Sequence, residues 1–136
     1  MFMQNKRTER VGRAMSEAFE VLVTYEFEDW YKALDETDAD QVYRVVELLE
    51  AKGVHLGHPY SSQLKGTAHN LRELRVQSKG DPIRILYAFD PNRNALLLLG
   101  GHKGGDDRWY EENIPKAEKL WLQHLEDLES SDSEDT

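Results

Sequence analysis

Between residues 71 and 99 the chain sets three short strand-like segments in quick succession, at 71–77, 83–89 and 95–99. Lys79-Gly80-Asp81-Pro82 and Asp90-Pro91-Asn92-Arg93-Asn94 separate them. Both are turn sequences, because Gly and Asn tolerate left-handed backbone and Pro fixes its own φ. Links this short join antiparallel neighbours, so the centre of the chain is a meander. The apolar run at 95–99 would be its most buried strand.

The flanking sequence supplies one more strand and the helices. Phe19, Val21, Val23 and Tyr25 alternate as in a strand. Residues 28–35 read as a short helix carrying Trp30, Tyr31 and Leu34. Thr37-Asp38-Ala39-Asp40 resembles a helix-start box, and Val42, Val45, Val46 and Leu49 follow at amphipathic spacing. Gly53 stands where a helix needs a left-handed residue to close. Residues 55–70, rich in Gly, Pro, Ser and His, read as a long loop. A last helix is expected from Arg108 towards Leu128, interrupted or kinked near its start by Pro115. The order predicts an α+β fold: a single, mostly antiparallel four-stranded sheet with helices packed on one face. Residues 1–18 read as a flexible arm, 19–128 as one domain and 129–136 as a disordered acidic tail.

With 136 residues the chain suits a single core, and with no cysteine it has neither disulfides nor thiolate chemistry. No apolar run is long enough to span a bilayer and no signal peptide opens the chain, so a cytoplasmic location without membrane contact is expected. Net charge is −9, which taken alone argues against a nucleic-acid partner. The charge is segregated, however. Residues 53–108 hold eight Lys/Arg against five Asp/Glu and four of the five histidines, while the remainder carries −12. A basic centre in an acidic chain is compatible with a polyanion on one face.

Hairpin register gives the sharpest indication of a site. Centring the first turn between Lys79 and Gly80 sets Arg75 opposite Arg84. Centring the second on Asn92 sets Arg84 opposite Gly100 and carries His102 past the strand end on the same face. Two arginines facing each other destabilise a sheet unless an anion or acid lies between them. Arg75, Arg84 and His102, with Lys65 and Lys103 on flanking loops, therefore make a phosphate-binding patch containing an acid/base group. The plainer alternative pairs Arg75 with Glu73 and leaves Arg84 solvated. His55 and His58 lack a third ligand, so no metal is expected. Gly100-Gly101-His102-Lys103-Gly104-Gly105 lacks phosphate-loop spacing and reads as a mobile loop that lets a substrate backbone approach. Trp109 and Tyr110 can stack on a base or pack the last helix on the sheet.

Leu64-Lys65-Gly66, Leu71-Arg72-Glu73-Leu74-Arg75, Ile83-Arg84-Ile85-Leu86-Tyr87-Ala88-Phe89 and the Leu-rich segment ending in Gly-Gly-His-Lys-Gly-Gly together resemble the HigB branch of the RelE/ParE toxin superfamily. The resemblance spans residues 21–125. It implies a RelE-like fold and the toxin of a type II toxin–antitoxin module. The activity it implies is metal-independent, cofactor-free cleavage of mRNA on the ribosome, which inhibits translation. It also implies a helix-turn-helix antitoxin, through which alone operator DNA is contacted. By motif, Lys65, Arg75, Arg84 and Lys103 match basic positions of the family and Trp109 or Tyr110 its aromatic near the substrate, whereas relatives often carry an acid or another basic residue in place of His102. The expected catalytic residues are thus Arg75, Arg84, Lys103 and, from the register, His102, and the expected substrate-binding ones Lys65, Arg72, Trp109 and Tyr110. Lys103 is followed by Gly104-Gly105-Asp106-Asp107, less basic than the family pattern, which leaves the proton-transfer group open. A ParE-like gyrase poison and a catalytically inactive, phage-derived binding or regulatory module are the alternative readings.

Overall fold

A computed structural model describes residues 20–105 and 108–135. The expected arm at 1–18 lies outside the described residues, as do Asp106 and Asp107. In chain order the elements are β1 (Val21–Val23), α1 (Tyr25–Lys32), α2 (Glu36–Lys52), a 3₁₀ turn (Gly53–His55), β2 (Ser61–Gln63), β3 (Arg72–Ser78), β4 (Asp81–Phe89), β5 (Ala95–His102) and α3 (Arg108–Asp135).

The meander forms as its turns dictate. Lys79 and Gly80 both take positive φ (54° and 83°), the two-residue turn whose twist suits a β-hairpin. It pairs Ser78 with Asp81 and sets Arg75 opposite Arg84, as expected. β4 pairs antiparallel with β5, and β1 adds in parallel to the far side of β5. β2 pairs antiparallel with β3, completing a mostly antiparallel sheet of five strands in the order β1-β5-β4-β3-β2. The fifth strand corrects the expected count of four. Ser61-Ser62-Gln63 carries no apolar alternation, and its strand geometry comes from pairing with β3 rather than from its own propensity.

Helix starts also shift. α1 begins at Tyr25 because Thr24 caps it, its Oγ1 accepting from the Phe27 N–H at 3.0 Å. α2 is capped by Asp35, not Thr37: the Asp35 carboxylate accepts from the Asp38 N–H at 2.8 Å. Gly53 closes α2 with φ 56°, the left-handed value anticipated there. α3 runs through Pro115 without interruption. It also continues through Asp135, where composition predicts disorder from 129. No Gly or Pro falls in that stretch to stop the helix, although its Ser and Asp residues are weak helix formers and its acids stand at the negative end of the helix dipole.

Helices cover both faces of the sheet, which corrects the expectation of one. Val21, Val23, Leu74, Val76, Ile83, Ile85, Tyr87, Ala95 and Leu97 pack against Phe27, Tyr31, Val42, Val45, Val46 and Leu49 of α1 and α2. Leu22, Leu71, Leu86, Ala88, Leu96 and Leu98 pack against Ala117 and Trp121 of α3. The continuous apolar run at 95–99 is the sequence sign of this arrangement, since a strand buried on both faces has no polar side to show. Among the described residues no helix is long and apolar enough to cross a membrane.

Candidate active site

Strand alternation decides which charged side chains meet. With Leu74, Val76, Ile83 and Ile85 on the α1/α2 face, Glu73, Arg75 and Arg84 project on the α3 face. Glu73 is the centre of this group and is buried at 6% exposure. Its Oε1 accepts the Tyr110 hydroxyl at 2.6 Å and lies 3.6 Å from Arg84 Nε. Its Oε2 accepts the Ser62 hydroxyl at 3.0 Å and lies 3.8 Å from Arg75 Nε. The acid required between two facing arginines is therefore on the same strand, two residues from Arg75. The plainer sequence alternative pairs Glu73 with Arg75 alone and leaves Arg84 solvated; the structure pairs Glu73 with both.

The two arginines differ in access. The Arg75 side chain is 39% exposed and that of Arg84 only 10%. Arg84 Nε donates to the Tyr110 hydroxyl at 3.3 Å, and Nη1 to the Ile83 carbonyl at 3.1 Å. Burial, then the hydrogen bond to Glu73, raises the Tyr110 pKa above the usual phenol value, so the ring stays neutral and donates. The Lys103 ammonium lies 5.8 Å from the centre of the Tyr110 ring, which places this cation beside the cluster. Trp109 stands edge-on to Tyr110 and packs over Gly101, where an added Cβ would meet its Nε1 at 2.5 Å. Gly100 is closed in the same way by Trp30 on the other face, at 2.3 Å. These two glycines thus belong to β5 and admit tryptophans, where the sequence suggested a mobile loop admitting substrate.

The structure does not bring His102 to the arginines. β5 carries a bulge: Tyr87 pairs with Leu97 but Leu86 with Leu99, leaving Leu98 as the extra residue. Beyond it every side chain is displaced by one, so Arg84 faces Gly101 and His102 pairs with Ile83 on the α1/α2 face. There His102 Nε2 lies 2.9 Å from Asp38 Oδ2, and the Ser78 hydroxyl donates to Asp38 Oδ1 at 2.6 Å. Lys79 pairs with Asp35 and Asp38 beside them. Arg72 also turns to the α1/α2 face, donating to Ser61 Oγ and Tyr87 Oη. Lys65 is exposed on the β2–β3 connection and makes no hydrogen bond or ion pair with the cluster. Among the described residues no three His, Asp or Glu side chains stand close enough to hold a metal ion.

The Asp38 group predicts a pH response. The Ser78 hydroxyl first, then His102 and Lys79, hold its carboxyl below the usual range. A depressed folded-state pKa contributes stability that is present above about pH 4 and lost as pH falls through the lower folded value. Thermal melts at pH 5 and pH 3 should therefore differ less in Asp38→Asn than in the parent. Equal losses in the two proteins would refute the assignment.

Fold and site together define a small α+β protein with two arginines facing each other across antiparallel strands around a buried carboxylate. The chain belongs to the family described as phage derived protein Gp49-like (DUF891), whose model matches residues 29–122. It is 44% identical over 107 residues to the putative toxin HigB3 of Mycobacterium tuberculosis, covering 75% of this chain and 92% of that protein. It is 38% identical over 105 residues to the putative toxin HigB2 of the same organism, again over 75% of this chain, but spans only 52% of that protein's length. Two solved structures are similar at 16% identity and a TM-score of 0.49. One is the archaeal RelE–RelB complex from Pyrococcus horikoshii OT3, covering 65% of this chain and 98% of that chain. The other is a free E. coli RelE mutant, with 69% and 93% covered.

Proposed function

We propose that this chain is the toxin of a type II toxin–antitoxin module, an endoribonuclease that acts in the cytoplasm on ribosome-bound mRNA and is neutralised by a helix-turn-helix antitoxin. Operator DNA is reached only through that antitoxin. The observation that carries the reading is the Arg75–Arg84 pair, held face to face around a carboxylate and flanked by Tyr110 and Lys103. The identity to a putative toxin over most of that toxin's length supports it.

In RNA cleavage the 2′-hydroxyl oxygen bonds to phosphorus as its proton leaves. The bond from phosphorus to the 5′ oxygen then breaks, and that oxygen takes up a proton. Negative charge builds on the non-bridging oxygens, which planar guanidinium groups meet with paired donors that stay charged at any working pH. Arg75 is the guanidinium most open to the phosphate. Arg84 stands behind it against Glu73 and Tyr110, adding positive charge to the site, and Lys103 and Lys65 hold the adjoining backbone. The neutral Tyr110 phenol donates within the site, and Trp109 fixes α3 over β5. His102 and Arg72, on the opposite face, take no part in the step.

One observation favours a second reading. Arg84 is one-tenth exposed and both arginines already face Glu73, an arrangement that also suits a binding module with no chemistry. Induced expression separates these, and the gyrase poison with them. The proposal expects rapid translation arrest with new 5′ ends inside reading frames. DNA damage with filamentation would indicate a gyrase poison, and unaffected growth a binding module.

A further inference from the structure

Beside the arginine pair the sheet edge opens into a cleft of about 430 Å³ whose lining includes Gln41, Tyr60, Arg75, Gln77 and Arg84. It exists because β2 is short. Pairing with β3 ends at Ser61–Leu74, after which only the Arg75 N–H reaches the Tyr60 carbonyl, at 2.8 Å. Peptide groups alternate along a strand, so Gln77, two residues on, turns its own N–H and C=O towards the open edge. Tyr60 is 42% exposed, and Arg75 and Arg84, both against Glu73, line the same cleft. Among the described residues the side chains of Gln41, Gln77 and Tyr60 make no hydrogen bond, so two amides and a phenol are available.

We propose that this cleft is a nucleobase subsite: it takes the base of the nucleotide next to the phosphate held by Arg75. The inference rests on the ribonuclease reading above. A ring face for stacking, side-chain amides able to match a base edge with donor and acceptor together, and a guanidinium for the linking phosphate are what a single-stranded nucleotide needs. The stretch of β3 that β2 leaves uncovered beside this cleft is residues 76–78, too short for a peptide strand to add there with useful pairing. The available groups therefore fit a base better than a peptide. Gln41 and Gln77 would set which base is preferred, and Tyr60 would add affinity whatever the base.

The test maps cleavage of a reporter mRNA in a translation extract and measures binding of a short oligoribonucleotide to the purified chain. Tyr60→Ala should lower both about tenfold, the range that stacking on one aromatic supports. Tyr60→Phe, which keeps the ring, should behave as the parent. Gln77→Ala and Gln41→Ala should redistribute cutting among bases beside the scissile bond, with melting temperatures unchanged. If the parent and Tyr60→Ala cut at the same rate and sites while Arg75→Ala does not cut, the subsite is wrong and the ribonuclease reading stands. If Tyr60→Ala cuts normally but loses antitoxin capture, the cleft belongs to a protein partner and the inference is overturned. A parent that neither cuts nor binds overturns both.

Discussion

Arg75→Ala should reduce cleavage of ribosome-bound mRNA at least a hundredfold while leaving the melting temperature close to that of the parent. The two halves of this expectation have separate physical sources. The catalytic half follows from the charge that gathers on the phosphate oxygens during attack. A preorganised donor aimed at such charge contributes about 3 kcal/mol or more, which is two orders of magnitude in rate. The structural half follows from exposure. The Arg75 side chain is 39% accessible and its Nε stands 3.8 Å from Glu73, so the pair is screened by water and contributes little to folding. Arg75→Lys keeps a charge but loses the planar pair of donors, and should recover only part of the activity. Single-turnover cleavage, with melting curves on the same preparations, makes the measurement. Parental rates in a folded Arg75→Ala would remove Arg75 from the chemistry.

Arg84→Ala should be less clean. At 10% exposure and with hydrogen bonds to Tyr110 and Ile83, this guanidinium is part of the packed structure as well as of the site. Its loss removes a donor from the phosphate and leaves Glu73 buried with less compensation. Rate and stability should fall together, read by single-turnover cleavage and melting curves on the same preparations.

What was legible in the sequence follows from local physics. Lys79-Gly80 prefers a particular turn, and that turn alone sets Arg75 against Arg84. The apolar faces of α2 and of the meander strands are likewise local patterns. The failures share another cause. β2 has no signature of its own and forms by pairing with a distant strand. Helices on both faces become apparent only once the run at 95–99 is recognised as double-sided. The placement of His102 turned on a single extra residue, Leu98, which no turn or periodicity marks, because a run of four leucines reads the same in either register. That one residue moves His102 to Asp38, on the face away from the arginines, and removes it from the candidate site. Glu73 was visible as a neighbour of Arg75. Its contact with Arg84, Ser62 and Tyr110 required β2, β4 and α3 in place.

Glu73→Ala should be the most destabilising change in the site, costing about 3 kcal/mol, or roughly 10 °C in melting temperature for a chain of this size. The carboxylate is buried and accepts from Ser62 and Tyr110, and it faces Arg84, which is itself nearly buried. Removing it leaves a buried guanidinium without its anion and two hydroxyls without their acceptor. Ion pairs at 3.6 and 3.8 Å are longer than a good hydrogen bond, and Arg84 keeps the Ile83 carbonyl, which holds the cost below the upper end for a broken buried pair. Glu73→Gln should cost less, since the amide oxygen can still accept one hydroxyl. The same variant tests the character of the site. If Glu73 occupies the place where a phosphate meets the two arginines, vacating it creates a free anion site, and a ligand that binds only the folded state stabilises it by mass action. Inorganic phosphate should therefore raise the melting temperature of Glu73→Ala by more than that of the parent at the same ionic strength. Chloride matched for ionic strength should not substitute for it. If Glu73→Ala melts with the parent, or phosphate and chloride act alike, the carboxylate does not hold the cluster together, and the paired arginines are not built around an anion.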